Sequence, residues 1–104
     1  MNRINIATDF SRTPGARFVD DGPFSGEEFR LSILVPLFRD ENDNSKIVID
    51  LDGCAGFPTS FLEEAFGGIA RDYGAKRCLD RFIFKSSEDP LLVEEITQYI
   101  KDAR

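Results

Sequence analysis

A chain of 104 residues that is 41% hydrophobic and 31% charged reads as one small globular domain around a single core. Its formal net charge of −6 argues against nucleic acid and anionic membrane as partners, since both call for basic patches. The absence of histidine removes the usual general base, triad member and metal ligand, so no enzyme, metal site or cofactor is expected.

The cysteines, Cys54 and Cys78, match neither a zinc motif nor a redox pair, and both read as buried small hydrophobes. No signal peptide or transmembrane run is read in the chain, so a cytoplasmic location with reduced thiols is expected. Ten phenylalanines without a tryptophan point to an aromatic core with few polar handles.

The first segment, RINIATDF, alternates loosely enough for a strand. Pro14-Gly15 marks a turn, and Arg17 to Val19 is a candidate second strand before the Asp21-Gly22-Pro23 break. Ser25 and Glu28 form a capping box, with Phe24 and Phe29 in the two positions of a hydrophobic staple. Phe29, Ile33 and Leu37 carry one helix face, broadened by Leu34 and Phe38, and the helix is expected to fade near Arg39. Pro36 lies inside this pattern and predicts a kink or a last turn lacking one bond.

After a polar loop, DENDNS, the run KIVIDLDG reads as a strand buried on both faces and ended by Asp52-Gly53. A second capping box is predicted at Ser60 and Glu63, opening a helix with Leu62, Ala65, Phe66, Ile69 and Tyr73 on its apolar stripe. Gly67 and Gly68 each cost that helix about 1 kcal/mol relative to alanine. They fit either a close approach of the helix to a strand or a smooth surface, beside Glu63, Glu64 and Arg71, for a protein partner. Gly74 to Asp80 is read as a turn, RFIF as a strand, and Asp89-Pro90 as the start of a last helix buried through Leu92, Ile96 and Ile100. The order predicts an α/β domain over residues 1–104, with mostly parallel neighbours.

The segments PGAR, GPFSGEEFR, PLF, IDLDG and GFPTSFLEEAFGGIAR, in that order, resemble the STAS-like domain family of uncharacterised bacterial proteins (DUF4325-type), which is distantly similar to anti-sigma-factor antagonists. The resemblance implies a sheet of about four strands, parallel or mixed, with three main helices packed against it. It also implies a regulatory protein-interaction role, with a strand–loop–helix signature phosphorylated by a histidine-kinase-like ATPase. By position, Thr59 matches the phosphorylated serine and Ser60 the second hydroxyl. Pro58 stands where the antagonists have aspartate, and Phe61 where they have glycine.

On this reading Thr59 and Ser60 are candidate phospho-acceptors, and Phe57, Pro58, Phe61, Glu63, Glu64, Gly67 and Gly68 form the partner surface. A constitutive scaffold without a covalent switch, and a small-molecule or nucleotide sensor, are the alternatives. Glu63 and Glu64 are adjacent on a helix and diverge, so they do not make an acid–base pair; they read as two solvated glutamates near a helix N-terminus.

Overall fold

The structure, a computed structural model, describes residues 2–103. Its strands are β1 (Asn2–Asn5), β2 (Ile47–Asp50) and β3 (Phe82–Lys85), all parallel in the order β1-β2-β3. The helices are α1 (Ile6–Asp9), α2 (residues 26–38), α3 (residues 59–73), α4 (Ala75–Arg81) and α5 (Leu91–Asp102). The expected fourth strand is absent among the described residues. Arg17 to Val19 instead leads into a short 3-10 turn, Val19–Asp21, whose start is closed by Asp21 accepting from the Phe18 amide.

The first strand is also shorter than RINIATDF suggests. Asn5 turns it into α1 by accepting the Thr8 amide at 2.9 Å, a side-chain cap that competes with strand pairing. Gly74 to Asp80 is not a turn: after Gly74, whose φ of 97° suits glycine, Ala75–Arg81 is helical. The last helix begins at Leu91, one residue later than Asp89-Pro90 predicts, with Pro90 as its N-cap.

The helices gather on one face of the sheet. Ile4, Ile47, Ile49 and Phe82 are buried beneath Phe38 of α2 and Phe66 of α3, whose rings meet Phe82 at 5.5 and 5.7 Å. A second aromatic group, Phe10, Phe29 and Phe61, closes the far end of the core. On the other face Val48 is only half-buried, Ile83 is exposed, and Asp50 is shielded by Arg3 at 3.2 Å and Lys85 at 3.6 Å. The apolar run of β2 is thus not covered by helices on both faces, and its Asp50 is held by charges rather than packing.

Both long helices contain a widened turn. In α2, residues Arg30–Leu34 are π-helical between the α-helical segments Gly26–Phe29 and Val35–Phe38. Pro36 supplies the reason: its ring collides with a carbonyl one regular turn back and it has no N–H to offer, and a wider turn relieves both. In α3, Glu63–Gly67 is π-helical between Thr59–Leu62 and Gly68–Tyr73.

Candidate functional site

Parallel strands deliver their following loops to the same end of a sheet, where open α/β proteins commonly place ligands and partners. Here the β2–α3 loop and the β3–α5 loop meet there. Asp52 joins them: its carboxylate accepts the amides of Ser87 and Glu88, each at 2.9 Å. Glu88 answers by accepting the Gly53 amide at 3.0 Å. Nothing local in the sequence marks this reciprocal pair, since the Asp-Gly after β2 reads as a simple strand stop.

Between the loops lies a cleft of about 380 Å³, lined among others by Cys54, Phe57, Thr59, Glu88, Asp89 and Glu95. Thr59 is exposed on the first turn of α3 and Ser60 is half-buried beside it. Neither is the N-cap. That position is Pro58, with φ −59° and ψ 138°, and no side chain accepts a bond from the helix start. The expected Ser60–Glu63 capping box does not form because the helix already starts at Thr59, leaving Ser60 inside the first turn, and Glu63 is engaged elsewhere. Its two oxygens accept from Arg17 at 2.5 Å and Arg71 at 2.7 Å.

Glu64, expected to be solvated, is buried. Arg30 donates to it at 2.9 Å, and Arg17 and Arg71 stand at 3.6 and 3.8 Å. Arg30 also reaches Asp72 at 3.2 Å. Gly67 and Gly68 are buried as well and serve this cluster rather than a smooth outer surface. A Cβ at Gly68 would stand 2.7 Å from Arg30 Nε, and one at Gly67 would stand 2.5 Å from Glu63 Oε2. Phe61 is fully buried among Phe10, Phe29 and Phe57. Of the nine candidate residues, Pro58 and Thr59 are exposed, Phe57, Ser60 and Glu63 are half-buried, and Phe61, Glu64, Gly67 and Gly68 are interior.

The electrostatics divide along the same line. Glu63 is held below its ordinary 4.5, first by its hydrogen bond with Arg71, with burial opposing and Arg17 assisting. On the cleft side, Tyr99 of α5 donates to Glu95 at 2.8 Å. Burial first, then this bond and the Glu95 charge, push the phenol up to about 12, with the Thr59 hydroxyl pulling the other way. Thr59 therefore sits beside a tyrosine–glutamate pair at the mouth of a carboxylate-lined cleft.

Among the described residues no helix is long and apolar enough to cross a membrane. No curated protein matches the chain significantly, and neither does any solved structure. A family model described as a STAS-like domain of unknown function (DUF4325) matches residues 25–92, roughly two thirds of the chain. The match takes in α2, β2, α3, α4 and β3, with both loops of the cleft, and the chain belongs to this STAS-like family of unknown function.

Proposed function

We propose that this is a non-catalytic, regulatory protein-interaction domain whose docking surface is the β2–α3 loop with the first turn of α3, and that Thr59 is its phospho-acceptor. The observation that carries the reading is the state of Thr59: an exposed hydroxyl on a helix first turn, with no capping bond to occupy it. A phosphate there would add roughly −1.5 to −2 charges opposite Glu88, Asp89 and Glu95 while facing the free amides of the helix start. Modification would thus change the charge and shape of this end of the molecule without entering the core.

By analogy with anti-sigma-factor antagonists, the partner is a histidine-kinase-like ATPase that phosphorylates the domain and then releases it. Pro58 and Phe57 supply the apolar part of the contact. The buried Phe61 supports that surface by packing against Phe57, whereas Glu64, Gly67 and Gly68 belong to the arginine cluster against α2.

The test is affinity capture from native lysate with and without ATP, reading partners and the phosphorylation of residues 56–71 by mass spectrometry. An ATPase that leaves as Thr59 gains phosphate is the expected outcome, abolished in Thr59→Ala. Unmodified Thr59 with a partner retained regardless of ATP would overturn the switch. That result would favour the second reading, a constitutive scaffold, which the three carboxylates around Thr59 support because they oppose a phosphate.

A further inference from the structure

The opposite end of the sheet carries a second cleft, of different character. It lies at the amino ends of β2 and β3, with a volume of about 520 Å³, inside the range of roughly 300–1,000 Å³ usual for small-molecule sites. Lys46, Lys76, Arg77 and Arg81 line it against a single carboxylate, Asp80. In a chain whose formal charge is −6, this concentration of cations needs a reason.

Two of the four are fixed by the fold. Arg81 is 1% exposed; its Nε donates to the Ser45 carbonyl at 2.9 Å and another nitrogen to the Leu37 carbonyl, while its nearest carboxylate, Asp43, stands at 3.5 Å. Two neutral carbonyls take its hydrogen bonds, and the ion pair with Asp43 offsets part of its charge. Arg77 lies over the rings of Phe38 and Tyr73, 5.3 and 5.8 Å from their centroids, and donates to the Asp40 carbonyl. Its Nε is buried and has no partner among the described residues, a donor that a native fold rarely leaves idle.

The other two are free to move. Lys76 is 90% exposed and holds only Asp80 at 2.8 Å, a surface pair of the kind that contributes little. The Lys46 ammonium bonds only the Asp80 backbone carbonyl among the described residues. One preset guanidinium, Arg77, with two mobile ammonium groups suits a phosphoryl group, Arg81 fixes the floor beneath them, and the Tyr73 ring and the lysine stems offer an apolar wall.

We propose that this cleft binds a small organic phosphate, its phosphoryl group held by Lys46, Lys76 and Arg77 and its body resting against Tyr73. The site is independent of Thr59, which lies at the other end of the strands.

The test is an NMR titration of the whole chain with adenosine monophosphate, ribose 5-phosphate, inorganic phosphate and phosphate-free adenosine. Saturable amide shifts at Asn44, Lys46, Gly74 and Lys76 are expected with the phosphate esters and not with adenosine. Inorganic phosphate binding as tightly as the esters would overturn the organic ligand, since the Tyr73 wall would then add nothing. The double variant Lys46→Gln/Lys76→Gln changes two exposed side chains and should weaken binding about tenfold or more. Asp80→Asn, which releases Lys76, should tighten it. No saturable shift with any phosphate at millimolar concentration, shifts that survive in the double variant, equal binding of adenosine, or no tightening in Asp80→Asn would each overturn the proposal.

Discussion

Arg30 on α2 and Glu64 on α3 meet at 2.9 Å, and each lies in the π-helical turn of its own helix. The pair bridges the two helices beside a second ion pair, Arg30 with Asp72 of α3 at 3.2 Å. Glu64 is 6% exposed, so its charge depends on arginines supplied from α2, from the loop before it and from α3 itself. Replacing Arg30 with methionine should cost about 2–4 kcal/mol, because it leaves a buried carboxylate with only its two longer-range partners. Arg30→Met/Glu64→Gln should recover part of that loss. Urea denaturation of the two variants and the wild type measures both.

Acid should loosen the same cluster through Glu63. Its folded pKa is depressed, so its contribution to stability is complete above the ordinary 4.5 and is lost as pH falls through the lower folded value. Chemical denaturation midpoints should therefore fall below about pH 4.5. Glu63→Gln should start less stable at neutral pH and show a shallower acid limb. Equal limbs in the two proteins would contradict the assignment.

Gly26 sets how closely α2 crosses α3. A Cβ there would stand 2.5 Å from the Phe61 carbonyl oxygen and 3.1 Å from Glu64 Cβ, and a backbone atom cannot swing aside as a side chain can. Gly26→Ala should destabilise the protein by about 1–3 kcal/mol through overpacking. Were the crossing looser, alanine's helix preference would instead stabilise it by up to about 1 kcal/mol. The sign of the shift in thermal midpoint decides.

Neither thiol should behave as a reactive one. Burial, then the Glu88 charge, pushes Cys54 up to about 11. Burial pushes Cys78 up to about 12 in spite of Arg77 and Arg81. Because the thiolate is the nucleophile, labelling by a thiol reagent at about pH 8 should be slow in the native state. Both cysteines should label rapidly in denaturant. A rapid native phase assigned to Cys54 would mean the cleft opens in solution.

Alkaline titration probes the cleft directly. Tyr99 should ionise near 12, above the ordinary 10, and absorbance titration of Tyr73→Phe, which leaves Tyr99 alone, isolates it. A raised folded value means its stabilising contribution is full below 10 and is lost as pH rises through about 12. Glu95→Gln, which removes the charge beside the phenol, should lower that value.

The sequence reveals the parts of this fold that local chemistry decides. Ser25 caps α2 as its spacing predicts, accepting the Glu28 amide at 3.0 Å, and the β2 run and the stripe of Leu62, Ala65, Phe66 and Ile69 are where periodicity places them. What stayed hidden depends on partners far along the chain. Ser60 and Glu63 have the spacing of a capping box, but the helix starts at Thr59 behind Pro58, and Glu63 goes instead to Arg17, 46 residues earlier. Gly67 and Gly68 look like an open surface until Arg30 is placed against them. The helix Ala75–Arg81 was legible in principle, since Ala, Lys, Arg and Leu are all strong helix formers; the preceding glycine masked it. At the candidate site, the two hydroxyls were visible from sequence, whereas the carboxylates opposite them come from α5 and its preceding loop, brought there by topology alone.

The all-parallel order β1-β2-β3 has a kinetic consequence. Asn2 pairs with Ile47 and Ile47 with Phe82, so partners are separated by 45 and 35 residues, and no strand pair can start as a hairpin. Each ladder must close a long loop before any pairing rewards it, which places folding toward the slow, nonlocal end of small domains. During synthesis β1 emerges first and stays without a neighbour until β2 follows, and the last pairing waits for Phe82–Lys85. A nascent chain interrupted before that strand would hold the Thr59 loop without its β3–α5 counterpart, so the cleft is among the last parts of the molecule to exist.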